Sequence, residues 1–393
     1  MTFFLENNMT YKSKLFIAAA LLGSSLLASA ADPIKIGVTG AFTGGSSPTG
    51  ISQRDGVKLG VAQINSKGGV LGRQIQLVER DDEAKNERSV QIAQELINKE
   101  KVIAVLGYSN TGPALASNRL FQEAKIPVIV NVATGSQVTK QFMPPEFPDN
   151  YVFRLAANDA IQTAMIVDEA IVRRKLTKVA ILADSTNFGQ LGREELERTL
   201  DLKGVKPVAV EKFNIKDVDM TAQLLRAKQA GAQAVLTYGI GPELAQIANG
   251  MVKLGWKVPM IGSWALSMGN FIDNAGTNGD GALMPQTFIQ IANTPKRLEF
   301  IDAYQKAYKV ERMSSAVAAG QGYDSILLLA AAIKQAGTTD GAKIRAALEN
   351  LSEKVEGVIT TYDKPFTPDD HEAIKPGMVV FGEVKNGRVV LAR

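Results

Sequence analysis

From residue 34 onward the chain alternates short apolar runs with longer stretches whose apolar positions recur at helical spacing. The runs Ile34–Val38, Ile75–Val78, Val102–Leu106, Pro127–Val130, Val179–Ala183, Ala234–Thr237 and Val258–Ile261 are continuously apolar and rich in Val, Ile and Leu, which predicts strands buried on both faces. Between them the spacing predicts helices over Ser52–Asn65, Arg88–Lys99, Ala114–Glu123, Ala160–Arg174, Leu191–Leu202, Ala222–Ala230 and Glu243–Leu254. Such alternation predicts an α/β protein with parallel sheets covered by helices. Further helices are expected at Lys296–Tyr308, Gly320–Ala336 and Ala342–Leu351, then a turn-rich crossing at Thr360–Pro368. Met378–Leu391 reads as a β-hairpin, because Asn386-Gly387 suits a type I′ turn.

A weak internal repeat divides this pattern into two sheets. Ala104-Val105-Leu106 followed by Gly112-Pro113-Ala114-Leu115-Ala116 recurs as Ala234-Val235-Leu236 followed by Gly241-Pro242-Glu243-Leu244-Ala245. Each copy leads into another strand, one ending in Asn131-Val132-Ala133-Thr134 and the other in Ser263-Trp264-Ala265-Leu266. Open parallel sheets bind ligands beyond the carboxyl ends of their strands, so two such lobes face to face make a cleft lined by these loops.

The chain before residue 33 has a different character. Lys12 and Lys14 precede an apolar run from Leu15 to Leu27 that ends in Ala28-Ser29-Ala30, the pattern of a secretory signal peptide cleaved after Ala30. The run is shorter than the roughly 20 residues a membrane-spanning helix needs, and no later stretch reads as long enough. Glu6 sits oddly in a basic leader, which leaves Met1 and Met9 as alternative starts. An exported protein follows, expected in the periplasm.

Composition narrows the chemistry. With Cys 0 and His 1 the chain has no thiol nucleophile, no Cys/His zinc site and no obvious histidine-centred triad. Lys+Arg 44 against Asp+Glu 40 is spread without a basic tract, which argues against a nucleic-acid partner. The loop Gly107-Tyr108-Ser109-Asn110-Thr111-Gly112-Pro113 joins a strand to a helix, so Ser109 or Thr111 either caps that helix or helps present its open N–H groups to an anion. Asn131-Val132-Ala133-Thr134-Gly135 carries the same double reading, and together Thr111 and Thr134 suit one carboxylate. On the second lobe Phe188 and Trp264 either belong to the core or form an apolar wall. Asp81-Asp82 reads as surface charge and caps, with a metal site as the alternative, and His371 as part of a solvated turn.

Gly40-Ala41-Phe42-Thr43-Gly44 with Gly50, Ala62-Gln63-Ile64-Asn65-Ser66-Lys67-Gly68-Gly69-Val70-Leu71-Gly72-Arg73, and Asp81-Asp82 closely resemble the periplasmic leucine/isoleucine/valine-binding protein family of ABC importers. The resemblance runs through the mature chain. It implies a type I periplasmic-binding fold: two Rossmann-like lobes joined by three crossings around a ligand cleft. One lobe is expected over 31–157 and 288–362, the other over 158–287 and 363–393. It also implies a monomer without cofactor, metal or enzymatic activity, which hands a small carboxylate ligand to an inner-membrane ABC permease. The family's carboxylate contacts fall on Thr111 and Thr134, and its ammonium contacts on the Val132 carbonyl and Thr134. Its aromatic wall falls on Phe188, a tyrosine position on Ile240 and an acidic position on Trp264. Ser109, Asn110 and Ala133 complete the candidate set. Trp264 offers an ammonium only its ring face, about 0.5–2 kcal/mol. The expected cargo is a branched-chain or other apolar amino acid, with an aromatic carboxylate without an amine as the alternative and an amide after it. The competing classes are an exported hydrolase, which lacks a GxSxG elbow, and an amide-sensing regulator.

Overall fold

The computed structural model describes residues 32–393, so the signal peptide, its cleavage after Ala30 and the choice between Met1 and Met9 lie outside the described residues. The first sheet is five-stranded, in the order β2-β1-β3-β4-β5, from β1 (Ile34–Gly40), β2 (Ile75–Asp81), β3 (Ala104–Gly107), β4 (Val128–Val130) and β5 (Val152–Arg154). All its pairings are parallel. The second, seven-stranded, takes its parallel part from β6 (Val179–Asp184), β7 (Ala209–Phe213), β8 (Ala234–Tyr238), β9 (Met260–Gly262) and β10 (Leu283–Gln286). After the small ribbon of β11 (Val355–Glu356) and β12 (Thr361–Tyr362), β13 (Val380–Lys385) and β14 (Arg388–Leu391) add an antiparallel hairpin to β10. Its turn residues Asn386 and Gly387 both have positive φ, as a type I′ turn requires.

β5, β7 and β10 carry no clear apolar run in the sequence, for physical reasons. β5 has only three residues and ends in Arg154. β7 alternates exposed and half-buried positions along an edge, and β10 contains Pro285, which usually argues against a strand interior.

The helices Pro295–Tyr308, Ala316–Ala336 and Gly341–Glu349 pack with the first sheet's core, so the chain crosses after β5, again after β10, and finally before β13. Phe366, Ala373, Ile374 and Val379 share that core, and residues 371–373 add a parallel bridge at the outer edge of β5. Residues 363–379, which the sequence assigns to the second lobe, thus pack under the first sheet.

Ala316–Ala336 is, by length and composition, apolar enough to cross a membrane, contrary to the expectation that no stretch after the leader would be. Here it is a core helix, 78% buried over its most apolar window. It lies against Ser47–Ser66 at close range because glycines meet there. A Cβ on Gly56 would stand 2.1 Å from the Ala319 carbonyl oxygen, and one on Gly322 would stand 2.1 Å from that of Gln53.

Candidate cleft site

The loops after β1, β3, β4, β6, β8 and β9 converge on one cavity between the two sheets. Ser109, Asn110, Thr111, Val132, Ala133 and Thr134 line it from the first lobe, and Phe188, Ile240 and Trp264 from the second. All the candidate residues thus share one cavity. Ala265, from the expected loop after β9, lines it too, as do Ser46, Thr49 and Met268, which were not anticipated. Ser46 follows β1, so the strand-end rule that singled out the other loops would also have found it.

Neither Ser109 nor Thr111 caps the helix Thr111–Glu123. Its N-cap is Asn110, and no side chain bonds its first-turn N–H groups. Ser109 instead accepts from the Ala41 N–H at 2.8 Å and donates to Asn110 Oδ1 at 3.0 Å, while Asn110 Nδ2 donates to Ser46 Oγ at 2.9 Å. These bonds tie the loops after β1 and β3 together. Thr111 Oγ1 accepts from the Gly135 N–H at 3.2 Å, tying in the loop after β4. In the second lobe the helix Gly241–Lys253 starts at Ile240 and also lacks a capping side chain. The internal repeat therefore yields two open helix N-termini beside one cavity, each presenting unpaired N–H groups and a positive dipole end.

Thr134 is held from both sides. Ala133 N–H donates to Tyr108 O at 2.9 Å, and Asp159 N–H donates to Thr134 O at 2.9 Å. Arg154, fully buried, fixes the next residue by donating from Nη1 to Gly135 O at 2.7 Å, while its Nε donates to Glu372 Oε2 at 2.8 Å. Thr134 Oγ1 itself is buried and closes no hydrogen bond. Such an atom costs about 1–3 kcal/mol unless something supplies a partner. Below it, burial pushes the Asp159 carboxyl up to about 6 against the lowering pull of the Thr134 and Tyr238 hydroxyls. Tyr238 Oη donates to Asp159 Oδ1 at 3.2 Å, and its ring lies 5.1 Å from that of Phe188, which forms part of the apolar wall.

No Asp, Glu, Lys or Arg side chain lines the cavity. Glu83, Lys85, Glu87 and Lys216 border only its outer mouth. At the rim Asn270 Nδ2 donates to Gly45 O at 2.8 Å and Asn86 Nδ2 to Asn187 Oδ1 at 3.4 Å, so uncharged groups join the two lips. A separate cavity, lined by residues that include Gln286, Arg312 and Arg388, shares no residue with the cleft cavity.

Two polar features differ from the sequence reading. Asp82 is buried rather than at the surface: it accepts from the Ala84 N–H at 2.9 Å, and burial pushes its carboxyl up to about 7. Asp81 bonds the Phe42 and Glu83 N–H groups at 2.9 Å each. Among the described residues no group of three or more His, Cys, Asp or Glu side chains could hold a metal ion. His371 is not in a solvated turn. It stacks on Phe153 with ring centres 4.0 Å apart, and its nitrogens sit 2.9 Å from Val152 O and 3.2 Å from Glu349 Oε1.

A family model described as a periplasmic binding protein matches residues 33–388. The leucine-, isoleucine-, valine-, threonine- and alanine-binding protein of Pseudomonas aeruginosa is 27% identical over 338 residues, 86% of this chain and 87% of its own length. Among solved structures, a type 1 periplasmic binding protein from Bordetella pertussis superposes with a TM-score of 0.82 at 28% identity, covering 92% of this chain and 100% of that one. A solute-binding protein from Rhodopseudomonas palustris in complex with 4-hydroxybenzoate matches in fold, with a TM-score of 0.79 at 23% identity over 92% and 96% of the two chains.

Proposed function

The chain belongs to the periplasmic binding protein family, and from that premise we propose that it captures a small carboxylate with an apolar body and delivers it to an ABC permease in the inner membrane. The carboxylate lies between the open start of the helix Thr111–Glu123 and the Thr134 hydroxyl, with Phe188, Ile240 and Trp264 around the body. The observation that carries this reading is Thr134 Oγ1: buried, on a residue that lines the cavity, and closing no hydrogen bond, whereas the hydroxyls of Ser109 and Thr111 beside it are engaged. A charge-assisted bond to a carboxylate would satisfy it.

The cavity has no acid to meet an ammonium, and a buried unpaired ammonium is costly, so we propose cargo that lacks an amine. An amino acid is the second reading. The Asp159 carboxyl below Thr134, with one buried oxygen unpartnered, favours it, as do the amino acids named for the Pseudomonas aeruginosa relative. The site needs no covalent chemistry, and the lobes close on the ligand by hinge motion.

The test is a thermal-shift screen of the mature protein, refolded to strip carried-over ligand, against aliphatic and aromatic acids and the free amino acids. Saturation at a hundred times the dissociation constant raises stability by about 2.7 kcal/mol. Shifts with acids but not with amino acids are expected; shifts with leucine or valine alone would refute the amine-free reading.

A further inference from the structure

Thr134 sits on a buried acid. Asp159 N–H donates to Thr134 O at 2.9 Å, and Asp159 Oδ1 accepts from Tyr238 Oη at 3.2 Å. Thr134 Oγ1 and Asp159 Oδ2 are both buried and close no hydrogen bond in the empty protein. A hydroxyl has one proton to give and lone pairs to receive with, whereas a carboxyl group donates only when it is protonated. Over an ionised Asp159 the Thr134 O–H turns down to the acid and shows the cavity lone pairs alone, which suits an ammonium or an amide N–H. A protonated Asp159 reverses the chain: its O–H donates to Thr134 Oγ1, and the threonine proton is free for an anion in the cavity.

We propose that Asp159 sets the direction of the Thr134 hydroxyl and so the charge of the cargo, an amine-free carboxylate being captured only together with a proton that Asp159 takes from solvent. This rests on the carboxylate reading of the cleft. Asp159 is a positioning residue, acting on the cargo through Thr134. Burial pushes its carboxyl up to about 6; the Thr134 hydroxyl is the strongest pull downward, Arg154 and Tyr238 pull less, and Glu195 pushes up. Arg154 is the one cation in this set, and Glu372 already engages it. An anion bound above Thr134 raises the carboxyl further, so binding is strongest below pH 6 and weakens as pH rises. With only the protonated form competent, affinity falls about 25-fold between pH 5.5 and pH 7.5.

Calorimetric titration of the stripped protein with 4-methylpentanoate, benzoate and leucine tests this. The acids should weaken about 25-fold over that range. At pH 7, titrations in HEPES and Tris, which differ in ionisation enthalpy, should show about one proton taken up per acid bound. Asp159→Asn keeps an acceptor for Tyr238 and a permanent donor for Thr134 Oγ1. Its affinity for the acids should therefore stay within about threefold of the parent's pH 5.5 value throughout. Acids that bind the parent with a flat profile and no proton uptake overturn the proposal, a readout that needs no variant to fold. So does the parent's slope persisting in Asp159→Asn, which would place the proton on Asp82 or Asp184, the buried acids raised to about 7 and about 6 elsewhere. Binding of leucine and of neither acid overturns the amine-free reading of the cleft and this extension with it.

Discussion

Two threonines line the same cavity and touch opposite ends of the same argument, so changing each to valine separates binding from folding. Thr111 Oγ1 accepts from the Gly135 N–H at 3.2 Å, whereas Thr134 Oγ1 is buried with no hydrogen bond closed. Thr134→Val removes a hydroxyl that closes no hydrogen bond in the empty protein and only eases the charge of the Asp159 carboxyl, so stability should stay within about 1 kcal/mol of the parent. For a chain of this size that is a melting temperature within about 2 °C of the parent, at roughly 2 °C per kcal/mol. The loaded protein loses a bond to a charged group, about 1.5–3 kcal/mol, which weakens binding about ten- to a hundredfold. Thr111→Val loses the ligand contact and also orphans the Gly135 N–H, so it should weaken binding and lower stability by about 1 kcal/mol or more. Calorimetric affinity and melting temperature, measured on both variants at one pH, give the comparison. The reasoning fails if Thr134→Val binds like the parent, or if it is destabilised as much as Thr111→Val.

Other expectations follow from the same geometry. Gly56→Ala should lower stability by about 1–3 kcal/mol although alanine is the better helix former, because its Cβ would meet the Ala319 carbonyl oxygen at 2.1 Å; chemical denaturation reads this out. Asn270→Ala removes the rim bond to Gly45 O and should speed ligand release about two- to tenfold in stopped flow, with little change in melting temperature. Burial raises the Asp82 carboxyl to about 7 in the folded chain, so the folded state holds a proton that the unfolded state gives up near pH 4. That contribution is complete below pH 4 and is lost as pH rises toward 7. Going from pH 5.5 to pH 8 should therefore cost about 2 kcal/mol from this group, and Asp82→Asn should remove that part of the slope.

How much of this was legible in the sequence depended on the range of the interaction. The loops carrying Thr111, Thr134, Phe188, Ile240 and Trp264 follow strands whose apolar runs are continuous, so local pattern and the strand-end rule suffice to bring them to one cleft. The fate of polar residues is settled by partners far along the chain. Asp82 is buried under a loop bonded through Asp81 to Phe42, and His371 is buried because Phe153 and Glu349 meet there. Nothing around Asp369-Asp370-His371-Glu372 announces those partners. Capping was misleading for a related reason: Ser109 is a good cap by type, but the Ala41 N–H from a neighbouring strand-end loop takes its oxygen. The membership of residues 363–379 was hidden too, since turn-rich sequence marks where a chain bends and not which core receives Phe366 and Ile374.

The uncharged lining of the cavity has a consequence for transport work. A carboxylate held only by hydroxyls and peptide N–H groups keeps its full charge, since no side chain of opposite sign neutralises it. Handed to the permease without an ammonium of its own, such a cargo crosses as an anion. Against an interior-negative membrane potential this costs about 2.3 kcal/mol per charge for every 100 mV. A zwitterionic amino acid meets no such barrier. If the cargo is the amine-free acid proposed above, the electrical work of its import falls on the ATP-driven permease, and uptake in whole cells should grow easier as the membrane is depolarised at constant ATP.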